Sequence, residues 1–240
     1  MSDKLSSQQS RILAESGIMP ASHSFLPRRI GRRFLVTPSD VSAPPSTPDQ
    51  IVLRIDPGAS FGDGAHPTTQ LCLAAVERQL QEIERSGDWR WGLGESGPAL
   101  IDLGAGTGIL SIAAAKLGAR PILAVDIDSE AVRSARANVA RNQVADQVRV
   151  EQGSLADVLA GRYGLAQAPL VVANILAHVL VDFFAQGLVK TVTPGGLLIL
   201  SGILRTQGPE IRARLGWHGL TLVAEEKRED WLCVIARAMA

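Results

Sequence analysis

Apolar positions along this chain switch repeatedly between short continuous runs and helical spacing. Short runs predict strands at Ala99–Leu103, Pro121–Val125, Val148–Glu151, Leu170–Ala173 and Leu197–Ser201. Spacing of three and four predicts helices between them, at Ile109–Leu117, Glu130–Asn142 and Ala177–Val192. Thr193-Pro194-Gly195-Gly196 reads as a turn. Beyond it the pattern predicts a helix at Gly208–Leu215 and strands at Leu220–Glu225 and Trp231–Ala236, with Glu226–Asp230 joining the two strands as a hairpin. Strands that alternate with helices bury both faces of a parallel sheet. The expected fold is therefore α/β: a seven-stranded, doubly wound, mostly parallel sheet ending in an antiparallel C-terminal hairpin.

The pattern upstream is sparser. Phe34–Val36 and Ile51–Ile55 read as strands, Ala43–Pro48 as a proline-blocked loop and Asp56–His66 as a glycine-rich loop. Pro67–Arg85 reads as a helix, with Pro67 in its first turn and Leu71, Ala74, Ala75 and Ile83 near one face. Arg11–Ile18 has enough periodicity for one or two helical turns, and Ser86–Pro98, with Trp89 and Trp91, is a loop. The expected organisation is an arm or linker over residues 1–50, flexible in part, and one domain over 51–240.

Composition narrows the function classes. Of 240 residues 46% are hydrophobic, enough for a sizeable core, and the formal net charge is zero, so no global field attracts nucleic acid or an anionic membrane. Cys72 and Cys233 form no CxxC pair and sit in apolar patterns, which points to buried thiols in a reducing compartment. Met1–Ser10 lacks the apolar core of a signal peptide, and no apolar run reaches the ~18 residues that cross a bilayer. These features lead to an expected cytoplasmic location without membrane contact. Arg28, Arg29, Arg32 and Arg33 form a basic cluster, either a solvated face or a contact for RNA or an acidic protein surface.

The densest chemistry lies at Leu100-Ile101-Asp102-Leu103-Gly104-Ala105-Gly106-Thr107-Gly108. A strand ends, glycines at alternate positions turn the chain, and a helix begins. Glycine tolerates φ > 0 and lets backbone approach a ligand. The dinucleotide fingerprint GxGxxG needs glycine at 109, where Ile109 stands, although a dinucleotide site remains the competing reading. Roughly 20 residues on, Asp126 ends the next strand, where an acid can bind both hydroxyls of a ribose. Asp128 is placed to cap the helix that follows. Asn174, at the end of the fourth sheet strand, offers an amide oxygen that can orient an amine without adding charge. His66 can support its loop or act as a general base. No histidine has metal-ligand spacing.

Asp102-x-Gly-x-Gly-x-Gly followed by Asp126 resembles the S-adenosylmethionine (SAM) site of class I, Rossmann-like methyltransferases, and Asn174 resembles the first residue of the NPPY-type motif of amino-methylating enzymes. The loop Asp56–Thr69, together with Asn174-Ile175-Leu176, Leu200–Leu204 and Glu226–Trp231, is similar to the ribosomal protein L11 methyltransferase family from about Phe34 to the C-terminus. That resemblance implies methylation of lysine and N-terminal amines of L11 or a similar lysine-bearing protein, with SAM as cofactor. It implies that Asp102 helps hold the methionine end of SAM and that Gly104, Gly106 and Gly108 let backbone reach the methionine and ribose. Ser154 would meet the adenine edge, Phe61 and Gly62 would line the pocket, and Thr69 would bind the methionine carboxylate. Asn174 is the expected catalytic residue. The family usually has threonine where Asp63 stands and often another at Ala65, and it places a recognition domain before the linker, where only 55 residues precede Asp56 here. Competing readings are methylation of another protein or of a small molecule, and a SAM-binding module without turnover.

Overall fold

The computed structural model describes residues 26–41, 47, 49–56, 58, 60–86 and 97–239. The expected helical turns at Arg11–Ile18 and the loop tryptophans Trp89 and Trp91 lie outside them.

β1 (Arg28–Ile30), β2 (Phe34–Pro38) and β3 (Ile51–Ile55) form a small sheet in which β2 pairs antiparallel with β1 and parallel with β3. Helix α1 (Pro67–Ser86) follows. Its buried stripe includes Leu71, Cys72, Ala75, Val76 and Leu80, the three-and-four spacing of a helix packed on one side. The main domain then alternates: β4 (Leu100–Leu103), α2 (Ile109–Lys116), β5 (Ile122–Asp126), α3 (Ser129–Arg141), β6 (Val148–Gln152), α4 (Leu155–Leu159), β7 (Ala168–Asn174), α5 (Ala177–Gln186) and β8 (Val192–Leu204). Helix α6 (Gly208–Trp217), β9 (Leu220–Arg228) and β10 (Trp231–Ala238) complete it.

The seven strands run in the order β6-β5-β4-β7-β8-β10-β9. Pairings from β6 to β8 are parallel, and β10 is antiparallel to both β8 and β9. The expected fold class is the one observed. Strand order reverses beside β4, whose neighbours are β5 on one side and β7 on the other. In such sheets the crevice beyond the carboxyl ends of the strands at this switch point is where ligands bind.

The period of two along each strand sorts side chains between two apolar layers. Leu100 of β4 and Leu170 and Val172 of β7 pack with α1, α2 and α3, whereas Ile101, Leu103, Val171 and Ala173 pack with α4, α5 and α6. Each fully buried Leu, Ile or Phe contributes about 1.5–3 kcal/mol of transfer free energy. Asp102 and Asn174 fall in the phase that faces the α1 layer.

Several boundaries differ from the pattern-based expectation. The helix expected to reach Val192 stops at Gln186, because Gly187 takes φ 99 as a left-handed C-cap and a single 3-10 turn, Leu188–Thr191, follows. Thr193–Gly196 is not a free turn. It is an excursion inside β8: four residues stand between the pairs Ala168↔Val192 and Leu170↔Leu197, against one on β7. The hairpin strands extend to Arg228 and from Trp231, which leaves only Glu229 and Asp230 in the turn, with Glu229 at φ 54. The residues after Gln152 include helix α4, and the Arg28–Arg33 cluster includes β1; neither element was expected.

Candidate functional site

A cavity of about 610 Å³ opens at the switch point, beyond the ends of β4, β5, β6 and β7. Phe61, Gly104, Gly106, Asp126, Ser154 and Asn174 line it. Sequence positions separated by more than a hundred residues thus meet because parallel strands end on one edge.

The glycine turn is built by its backbone. Gly104, Gly106 and Gly108 have φ of 76, 54 and 78, values costly for any residue with a Cβ. A Cβ on Gly106 would run into the Phe61 carbonyl, and one on Gly104 would meet the Ile175 side chain. The Gly104 and Ala105 N–H groups both donate to the Val125 carbonyl, at 2.8 and 3.1 Å. Asp126 holds the turn from β5: one carboxylate oxygen accepts from the Gly106 N–H at 2.9 Å and the other from the Asp128 N–H at 3.0 Å. Each oxygen keeps lone-pair capacity for a further donor. Asp128 caps α3 by accepting from the Glu130 N–H at 2.9 Å, as its position suggested.

The Phe61 loop closes over this turn. Thr107 donates its N–H to the Phe61 carbonyl (3.0 Å) and its hydroxyl to the Gly62 carbonyl (2.7 Å). The Phe61 ring is half exposed and packs edge-on to His66 at 5.2 Å; His66 packs edge-on to Trp231 at 4.9 Å. His66 stands before Pro67 and caps α1, since the Thr68 N–H donates to its Nδ1 (3.3 Å) and the Thr68 hydroxyl lies 2.8 Å from the same nitrogen. An Nδ1 that accepts from backbone leaves the proton of the neutral ring on Nε2. This geometry gives His66 a supporting role rather than that of a general base.

Asn174 lies beside α1. Its Nδ2 is 3.5 Å from the Thr69 hydroxyl, at the weak limit of a hydrogen bond, and its Oδ1 is buried with no hydrogen-bond partner. Asn174 lines the cavity, so a ligand bound there can supply the missing donor. Gly202 makes room for this segment: at φ 83 it is the extra residue of a bulge between the pairs Leu232↔Ile203 and Cys233↔Ser201, and a Cβ there would strike the Ile175 carbonyl.

Four expected residues do not line the cavity. Asp102 is fully buried on the α2 side and accepts a 2.7 Å hydrogen bond from the Ser111 hydroxyl. Burial pushes its carboxyl up to about 6, against the Ser111 bond and with some help from the Asp126 charge. Thr69 is buried in the first turn of α1, and Thr68 reaches the cavity instead. Gly62 packs on Thr107, and Gly108 packs on Ala135 at the start of α2. Ser154 lines the cavity, yet its N–H and hydroxyl both donate to Asp157 at 2.8 Å. Asp63 accepts from the Ala65 N–H at 2.8 Å and shapes the loop.

Sequence reasoning gave no cavity role to Thr68, Ile127, Phe183 or Trp231. Ile127 and Leu176 carried one signal: an apolar residue at a strand tip stays exposed, here 74% and 57%, unless something covers it. Arg28, Arg29 and Arg32 are exposed on β1 and its turn, away from the cavity lining; Arg33 donates to the Asp49 carbonyl at 3.1 Å.

The doubly wound parallel sheet with a glycine turn at its switch point defines a Rossmann-like α/β fold. At the level of fold alone, an O-methyltransferase family protein from Burkholderia thailandensis matches it with TM-score 0.51 and 16% identity, covering 73% of this chain and 61% of that one. More specifically, residues 6–239 match the family model described as Ribosomal protein L11 methyltransferase (PrmA), and the chain belongs to this family.

Relatives named ribosomal protein L11 methyltransferase include one from Exiguobacterium sibiricum, 39% identical over 216 residues, and one from Desulfitobacterium hafniense, 41% identical over 213. These alignments cover 90% and 89% of this chain but 62% and 61% of the relatives, so the chain spans about three-fifths of their length. The crystal structure of ribosomal protein L11 methylase from Lactobacillus delbrueckii subsp. bulgaricus superposes with TM-score 0.74 and 30% identity, over 90% of this chain and 100% of that one.

Proposed function

We propose that this chain transfers methyl groups from S-adenosylmethionine to amino groups of ribosomal protein L11, on lysine side chains and the N-terminus. The observation that carries the reading is the buried, unpartnered Oδ1 of Asn174 in the same cavity as the glycine turn and Asp126.

The residues fit the cofactor. Gly104 and Gly106 line the cavity with backbone at positive φ, where a Cβ would collide with Ile175 and with the Phe61 carbonyl, and Asp126 has acceptor capacity left on both oxygens for the ribose hydroxyls. Phe61 stands at the wall with its ring half exposed. When bound, SAM supplies an electrophilic methyl on a sulfonium.

The chain's own task is to present a neutral amine in line with that methyl. Asn174 Oδ1 accepts an amine N–H and so aims the nitrogen lone pair. The apolar wall of Leu103, Val125, Ile175, Leu176, Val179 and Phe183 disfavours an ammonium ion, which lowers the acceptor's pKa. The amine proton leaves to solvent, since His66 Nδ1 is occupied by Thr68. Among the described residues no helix is long and apolar enough to cross a membrane. A cytoplasmic setting is part of the proposal, in keeping with free, buried Cys72 and Cys233.

The test is incubation of the purified chain with methyl-labelled SAM and purified L11, with whole lysate in parallel. Label on L11 that disappears in Asn174→Ala is expected. Label on a different component alone would remove L11 from the reading, and SAM binding without any transfer would remove turnover.

A further inference from the structure

Two asparagines, Asn138 of α3 and Asn142 at its C-cap, do work that the cavity does not explain. Asn138 and Asn142 are one helical turn apart, so they share a face. Both are buried, at 0% and 5% exposure. Each uses its amide as a strand would use its backbone. Asn142 accepts from the Arg54 N–H at 3.0 Å and donates to the Arg54 carbonyl at 2.7 Å. Asn138 accepts from the Asp56 N–H at 2.9 Å and donates to the Asp56 carbonyl at 3.0 Å. Residues 54 and 56 are alternate positions along β3 and its exit, and β2 occupies the other edge of β3. The two amides thus pair the edge that β2 leaves open.

Asn138 alone goes further. Its Nδ2 also donates to the carbonyl of Thr107, inside the glycine turn, at 3.0 Å. Thr107 is fully buried, and its three polar groups are all committed: the N–H to Phe61, the hydroxyl to Gly62 and the carbonyl to Asn138. The Phe61 loop is therefore fastened to the glycine turn at two points, directly at Phe61–Gly62 and through Asn138 at Asp56. Asn138 does not line the main cavity.

We propose that Asn138 is a positioning residue of the cofactor site, holding the Phe61 loop and the glycine turn in register through its hydrogen bonds to Asp56 and Thr107. The assignment rests on the SAM reading above. An amide that donates to two carbonyls and accepts from an N–H has no substitute among apolar side chains, because its loss leaves the buried Thr107 carbonyl unpaired. The expected consequence is a misplaced turn rather than a lost ligand contact.

Asn142 is the internal control, since it pairs the same strand edge without reaching the turn. SAM titrated into the intact chain should bind Asn138→Ala about tenfold more weakly, while Asn142→Ala stays within about twofold, although both variants melt lower. In turnover the KM for SAM should rise in Asn138→Ala with the acceptor KM unchanged. Hydrogen exchange without ligand should show the Thr107 amide exchanging faster in Asn138→Ala and not in Asn142→Ala.

An unchanged SAM affinity in Asn138→Ala would overturn the proposal, as would equal weakening in both variants in proportion to melting temperature. Where Asn138→Ala does not fold, the near-isosteric Asn138→Asp keeps the acceptor for the Asp56 N–H and removes both bonds donated to the Thr107 and Asp56 carbonyls, and it should weaken SAM binding; unaltered binding would again overturn the proposal. A wild-type chain that binds no SAM refutes the functional reading instead, and the exchange comparison still decides whether Asn138 fastens the loop.

Discussion

At the residue scale, two aspartates at strand ends have opposite environments and opposite predicted behaviour. Asp126 is partly exposed, keeps both oxygens at the cavity and already accepts from Gly106 and Asp128. Asp126→Ala should weaken SAM binding by about 3–6 kcal/mol, the value of two hydrogen bonds to a charged acceptor, as read by calorimetry. Asp102 is buried, with its carboxyl raised to about 6 and its Oδ1 unpartnered. A folded-state pKa above the unfolded value favours folding at low pH, and that advantage is lost as pH rises through about 6. Asp102→Asn keeps an acceptor for Ser111 and removes the titration. It should match the wild type near pH 4 and exceed its stability at pH 8 by about 1–3 kcal/mol, measured by urea unfolding. A constant difference across pH would contradict this account.

At the element scale, the site depends on irregularities in regular elements. The bulge at Gly202 in β8 admits the Ile175 carbonyl and so sets the height of Asn174 at the end of β7. Gly202→Ala combines left-handed strain with a collision against backbone. It should cost more than about 3 kcal/mol in chemical denaturation and lower kcat more than it raises the KM for SAM. Gly161 also has positive φ, 69, but open space around its Cβ position. Gly161→Ala should therefore cost only about 1–2 kcal/mol of backbone strain and leave turnover unchanged. The glycine turn, the Phe61 loop and the strand tips could be read from sequence because each has a local signature. Helix α4 was missed although Ser154 and Asp157 stand at capping spacing, since five residues are too few to show a helical period.

At the scale of the whole molecule, the sheet separates two apolar layers, and the site sits where its strand order reverses. Cys72 of α1 and Cys233 of β10 are both fully buried in the α1 layer, and contact with Cys72 together with burial pushes the Cys233 thiol well up. Neither should react with a thiol reagent in the native chain at pH 8. Their labelling should appear only as global unfolding exposes the layer, with a rate that follows the unfolding rate across denaturant concentrations. Labelling at a rate independent of denaturant would reveal a local opening between α1 and β10.

The sequence by itself determined what depends on local chemistry and period. Alternating runs and helical spacings fix an α/β sheet, alternate glycines fix a turn, and an acid at the next strand tip fixes a partner for it. The structure alone decided what depends on meeting in space. It put Thr68 rather than Thr69 at the cavity and withdrew Asp102 into the α2 layer. It left the Asn174 oxygen without a partner and joined Asn138 to Thr107 across 31 positions. Periodicity reports which face a side chain takes, but hydrogen bonds between distant elements follow from register and packing, which no local window of sequence contains.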